Sequence, residues 1–132
     1  MPGLLTHLIA SIIGFVGIGL LFRNYKYGLV FAIGQLIPDI IRFGITGVVN
    51  KTFDFGEIIS KPLFWTLSFT HEVFFWIIVF TLIFAVIFGV YKAKKINRKI
   101  FRKWIIADCI FLASTIIHLI LDALIIEKSY WI

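Results

Sequence analysis

Eight ionisable side chains lie within or beside long apolar stretches of this chain: His7, Asp39, Arg42, His71, Glu72, Asp108, His118 and Asp122. A central Asp or Arg in a bilayer costs about 2.5–3.5 kcal/mol on insertion scales, so such residues face a bundle interior and pair with one another. In the segment HLILD, His118 and Asp122 are four residues apart, which stacks them on one helical face. Imidazole nitrogen with carboxylate oxygen is the donor set of zinc, and also of iron or manganese; catalytic zinc sites keep one position for water. His118 and Asp122 can grip an ion from one helix, with His7, Asp39 and His71 completing the shell. Five such ligands suit one metal with supporting hydrogen bonds, or two metals that share a bridging carboxylate. A bound divalent ion acidifies water toward neutrality and polarises a phosphoryl or acyl oxygen, giving hydrolysis without a Ser or Cys nucleophile. Glu72 is then the candidate general base, and Arg42 a clamp for an anionic substrate.

Each feature also has a plainer reading. A lone His/Asp pair at this spacing is often a structural hydrogen bond, and Asp39 with Arg42 can form a buried ion pair. Pro38 reads as a kink whose freed carbonyl is re-satisfied by neighbours. The single Cys109 lies in an apolar run and is expected to pack; it excludes a disulfide framework and a CxxC-type zinc site. Tyr27, Trp104, Tyr130 and Trp131, near segment ends, read as interfacial anchors. What favours a metal is joint placement, because all three histidines of the chain fall at one depth.

The elements that set that depth follow from composition. Of 132 residues, 61% are hydrophobic and 15% charged. Soluble domains are about half apolar and roughly a quarter charged. A chain this short has too little interior to bury the difference, so the class is an integral membrane protein. With roughly 20 apolar residues needed per crossing, four segments qualify: Leu4–Phe22, Tyr27–Val49, Leu63–Tyr91 and Trp104–Ile126. The expected architecture is all-α, a single polytopic domain over residues 1–132 forming a four-transmembrane-helix bundle. The third segment is longer than required and either projects its first turns or tilts. The turn RNYK makes the first two helices antiparallel neighbours, and NKTFDFGEIISKP (residues 50–62) is the polar loop on its side. The first segment lacks a basic n-region, and Arg23 follows its apolar run, so it is expected to be a retained helix and not a signal peptide.

Charge sets the orientation. Seven of the 13 Lys and Arg residues lie in the loop 92–103, between Lys92 and Lys103. With Arg23 and Lys26 they occupy one side; Lys51, Lys61 and Lys128 occupy the other. The positive-inside rule then places the basic loop in the cytoplasm, against anionic lipid head groups, and both termini outside the cell membrane. Nucleic acid is not the expected partner of this patch. In that orientation His7, Asp39, Arg42, His71, Glu72, His118 and Asp122 collect near the outer face, and only Asp108 is at the other end.

Helical phase agrees on three segments. His7, Ala10, Gly14 and Gly17 form a stripe on the first; Gly28, Ala32, Gln35, Asp39, Arg42 and Thr46 on the second; Asp108, Phe111, Thr115, His118 and Asp122 on the fourth. Small residues in such stripes mark faces where membrane helices meet. On the third, His71, Ile78, Thr81 and Ala85 share a face less cleanly, with Phe74 among them.

The motifs LLTHLI, LIPDI, FTHEV and HLILD, in this order and spacing over nearly the whole chain, resemble those of the YdjM-type small membrane-bound metal-dependent hydrolases. The resemblance implies His7, Asp39, His71, His118 and Asp122 as metal-site residues. The family's motif layout is similar to that of zinc-dependent phospholipase C, which implies phosphoester chemistry on lipids by analogy. Many members carry HR shortly before the second TH, where this chain has Thr66 and Leu67 in FWTLSFTH. That departure is compatible with one metal in place of two, with a changed substrate, or with a fold kept without catalysis.

Three functions therefore compete. The first is a membrane-embedded hydrolase using a divalent metal, zinc foremost, on a lipid-borne phosphoester at head-group level. The second is a non-catalytic scaffold or binding subunit, and the third a proton or ion transport component built on the His/Asp cluster, for which the inner half offers only Asp108, Gln35 and Thr81. Association into a homo-oligomer is compatible with each.

Overall fold

The computed structural model describes residues 4–124, and among these every regular element is a helix. We number them α1 (Leu4–Leu21), α2 (Tyr25–Asn50), α3 (Phe55–Ser60), α4 (Pro62–Thr66), α5 (Val73–Lys92) and α6 (Arg98–Leu124). Ile125 and Ile126 of the fourth expected segment, with Lys128, Tyr130 and Trp131, lie outside the described residues.

Three helices, α2, α5 and α6, are long and apolar enough to cross a membrane. The first expected span, α1, is apolar but only 18 residues long. At 1.5 Å per residue it rises about 27 Å, slightly less than a hydrocarbon core of about 30 Å.

α2 is the centre of the arrangement, packed against α1 on one side and α6 on the other, while α5 packs on α6. Glycines allow the close approaches. A Cβ at Gly28 would lie 2.2 Å from the Phe15 carbonyl oxygen, and one at Gly34 would lie 2.9 Å from that of Phe111. The Ser114 hydroxyl crosses the second contact to donate to the Phe31 carbonyl. The stripes expected on α2 and α6 face inward: Gly28, Gln35, Arg42 and Thr46 are buried, as are Asp108, Thr115 and His118. On α1 the packed face is His7, Ser11 and Gly14, whereas Gly17 looks into open space.

Inside α2, Pro38 removes one backbone donor, and the next residues, Ile40–Gly44, widen into a π turn before the α-helix resumes at Ile45. The Thr46 hydroxyl donates to the Arg42 carbonyl, 2.7 Å away, within this wider turn. The expected kink is thus a local change of pitch beside Asp39. π turns of this kind recur at functional sites.

The third expected span, Leu63–Tyr91, is not one helix. α4 ends at Thr66, a 3₁₀ turn runs from Leu67 to His71, and Glu72 is extended (φ −101°, ψ 128°) before α5 begins. The break removes His71 from the register of α5, so its spacing to Ile78, Thr81 and Ala85 has no facial meaning. Those three residues and Phe74 are exposed, and the buried side chains of α5 are Trp76 and Ile87. Two further expectations change. α6 begins at Arg98, six residues before Trp104, because Asn97 caps it by accepting from the Ile100 N–H at 2.9 Å. Cys109 is exposed on α6 instead of packed.

The polar stretch 50–62 is largely ordered by its own side chains. Asp54 caps α3 by accepting from the Glu57 N–H at 2.9 Å, and Glu57 pairs with Lys61 at 2.9 Å while accepting from the Thr52 hydroxyl at 2.7 Å. Those hydrogen bonds hold the Glu57 carboxyl below its ordinary range.

Candidate metal centre

Four separate elements deliver the five candidate ligands to one place. α1 supplies His7, α2 supplies Asp39 just before its π turn, the 3₁₀ turn supplies His71, and α6 supplies His118 and Asp122. His7 and His118 are almost wholly buried, at 1% and 0% exposure, while both carboxylates and His71 keep 12–14%. The cluster is therefore closed at His7 and His118 and keeps slight exposure at Asp39, His71 and Asp122.

All three imidazoles turn Nε2 toward the carboxylates. His7 Nε2 lies 3.3 Å from Asp122 Oδ1, and His71 Nε2 lies 3.3 Å from Asp39 Oδ1 and 3.4 Å from Asp122 Oδ2. His118 Nε2 lies 3.4 Å from Asp122 Oδ2 and 3.8 Å from Asp39 Oδ1; His7 to Asp39 Oδ2 is 4.0 Å. Donors bound at about 2.0–2.1 Å around a tetrahedral ion are about 3.3–3.4 Å apart along each edge. The shorter separations match that edge.

The Nδ1 atoms point the other way, and their partners fix the tautomers. His118 Nδ1–H donates to the Gln35 backbone carbonyl at 2.7 Å, which leaves the Nε2 lone pair facing the carboxylates. The Thr70 hydroxyl donates to the Leu67 carbonyl at 2.8 Å, so its oxygen accepts from His71 Nδ1–H at 3.2 Å, again freeing Nε2. His7 Nδ1 faces the Gln35 side-chain amide, with Nε2 of the amide at 3.5 Å and its Oε1 buried without a partner. Rotating that amide by 180° exchanges the two atoms, so that Oε1 accepts from His7 Nδ1–H and the amide nitrogen takes the place of the partnerless oxygen. Ligating histidines are held in this manner, by a carbonyl or hydroxyl on the far ring nitrogen.

Within the cluster, two more buried atoms lack hydrogen-bond partners, His118 Nε2 and Asp122 Oδ2. Both lie inside the cluster and face each other as lone-pair acceptors. An unpartnered buried polar atom costs about 1–3 kcal/mol, and a cation between the two removes the penalty for both. The residues present therefore fit a divalent ion, and two ligand triads, His7–His118–Asp122 and Asp39–His71–His118, bring their donor atoms within 4.8 Å of one another.

Arg42 is buried beside the cluster, its Nε donating to the Phe64 carbonyl at 3.2 Å and its guanidinium lying 4.0 Å over the Phe64 ring. It interacts electrostatically with both Asp122 and Asp39. Glu72, by contrast, is exposed and takes no part in the contacts that tie the five ligands together.

The residues missed in the sequence are the ones behind the ligands. Gln35, assigned there to the inner half, steadies both His7 and His118. Trp76 donates to the Thr70 carbonyl at 2.7 Å and packs edge-on against Phe111 of α6, tying the His71 turn to the bundle. Only the inward stripe on α2 could have signalled Gln35, and nothing in the spacing signals Trp76.

No protein-family model matches this chain, and neither does any curated protein or solved structure.

Proposed function

We propose that the protein is a membrane-embedded, metal-dependent hydrolase acting on a lipid-borne phosphoester, with zinc the foremost metal and iron or manganese compatible with the same donors. One observation carries this reading: three imidazole Nε2 atoms converge on two carboxylates, with His118 Nε2 and Asp122 Oδ2 buried and unpartnered. The resemblance to the YdjM-type hydrolases supports the same residues.

A divalent ion in this setting supplies a Lewis acid for a phosphoryl oxygen and acidifies water toward neutrality. The chain does the rest. Gln35 and Thr70 hold the imidazoles in the ligating tautomer. Arg42, fixed by the Phe64 carbonyl and ring, sets a positive charge beside the cluster that favours an anionic phosphate there. Glu72, exposed next to His71, is available to accept a proton from water. A cluster near one end of the spans suits an ester at head-group level.

In this reading α1 is the fourth span of the bundle, both termini are outside, and the segment Lys92–Lys103 lies in the cytoplasm against anionic head groups. The bilayer is the source of substrate; nucleic acid is not a partner, and a homo-oligomer is compatible with the exposed faces.

A second reading, proton or ion transport, draws on Asp108. It is buried on α6 with neither carboxylate oxygen hydrogen-bonded. Against it, Thr81, the other polar residue of that half, is exposed.

The test is elemental analysis of the detergent-purified protein beside His118→Ala/Asp122→Ala, followed by assay on phospholipid micelles. Bound zinc, iron or manganese in the parent, none in the variant, and metal-dependent release of a phosphorylated head group or phosphate are expected. A parent that neither carries nor takes up metal, beside a folded variant, would overturn the hydrolase.

A further inference from the structure

We infer that the centre is dinuclear, with Asp39 and Asp122 each bridging two divalent ions, one held by His7 and the other by His71 and His118. The inference rests on the metal site proposed above and concerns how that site is divided.

The division is written in the carboxylate oxygens. Asp122 offers Oδ1 to His7 but Oδ2 to His71 and His118, at 3.3, 3.4 and 3.4 Å. Asp39 repeats the pattern with Oδ2 toward His7 and Oδ1 toward His71 and His118, at 4.0, 3.3 and 3.8 Å. A carboxylate serving one ion directs its nearest oxygen, or both, at one point. Here two carboxylates from different helices each split their oxygens between the same two poles.

Two further observations agree. His7 and His118 stack with ring centroids 4.0 Å apart and planes 26° from parallel, which sets the two imidazoles side by side. Donor count also differs between the poles. The His71/His118 pole has two imidazoles and two carboxylate oxygens, a full tetrahedral set, whereas the His7 pole has one imidazole and two oxygens. The ion at the His7 pole is therefore the one with a coordination position left for water.

Charge then names the ligand class. Two divalent ions on two carboxylates and three neutral imidazoles leave two positive charges, and Arg42 adds to the field. A single ion would leave none. The dinuclear centre calls for an anion, as a phosphate diester or monoester supplies.

The experiment is reconstitution of the full chain in detergent with Mn²⁺, read by metal content and low-temperature electron paramagnetic resonance, for the parent and His7→Ala. The expected parent holds two ions per chain with an exchange-coupled spectrum. His7→Ala is expected to hold one, with the six-line spectrum of isolated Mn²⁺. One ion per chain in the parent, or two without coupling, would overturn the inference and leave a mononuclear hydrolase standing. No bound ion would overturn both. Should His7→Ala not fold, the parent's spectrum and stoichiometry decide alone.

Discussion

α2 buries 33% of its most apolar stretch inside the protein, and α5 buries 11%, although α5 is the more hydrophobic of the two. The buried residues of α2 are Gly28, Phe31, Gly34, Gln35, Pro38, Arg42, Thr46 and Gly47; those of α5 are only Trp76 and Ile87. In water the ranking would run the other way. In a bilayer lipid tails are as apolar as Leu, so burial goes to residues that gain from close backbone approach or from a polar partner. α2 is a helix specified by what it packs against, and α5 by the solvent it faces.

That contrast can be broken at several points, and the largest effect is expected at the cluster that α2 and α6 build. His118→Ala/Asp122→Ala should abolish metal binding altogether, measured by elemental analysis, while an exposed α5 change such as Phe74→Leu should leave metal content unaltered. Next is Gln35→Leu, which removes the side-chain partner of His7 but keeps the carbonyl that holds His118. A loss of metal affinity of about 10–100-fold is expected, as for other residues that orient ligands, read by competition with a chromogenic chelator. Glycines give the most direct comparison. Gly28→Ala places a Cβ against the Phe15 carbonyl and should destabilise the α1/α2 contact by about 1–3 kcal/mol. Gly89→Ala meets nothing within 4 Å and should be neutral or stabilising by up to about 1 kcal/mol. Thermal unfolding in detergent compares the two. Smallest is the exposed loop. The Glu57 carboxyl is depressed by Lys61 and Thr52, so its contribution is present above the unfolded carboxyl pKa and fades as pH falls through the lower folded value. Glu57→Gln should flatten the midpoint's dependence on pH in that acidic window and lower the midpoint slightly at neutral pH, where the parent's ion pair is intact.

The candidate ligands were legible because long apolar helices reduce position to depth and phase. His118 and Asp122 were paired by spacing alone, and Asp39 fell on the small-residue stripe of its helix. His71 was found by depth although its phase argument failed. The failure has a cause: Thr66 to Glu72 is a short, moderately apolar interruption that averages into the run from Leu63, while the extended Glu72 resets the register. Gln35 was misplaced because level was counted along the helix axis. Its long side chain reaches His7 on α1, and its carbonyl meets His118 on α6, neither of which an axial count records. Partners such as Thr70 and Trp76 depend on a tertiary contact between the 3₁₀ turn and α5, and no local pattern encodes that.

The π turn at Ile40–Gly44 carries a consequence for how this chain tolerates changes in length. Such a turn is an α-helical turn holding one residue more than its hydrogen-bond spacing ordinarily allows. Deleting Ile41 would let the helix close up without a break, and Asp39, upstream of the deletion, would keep its place. Residues beyond the turn, Thr46 among them, would keep their phase on the bundle, because the extra residue is taken up within the turn itself. A shortening by one residue, which breaks the phase of an ordinary helix, would here be absorbed by the turn that follows Asp39.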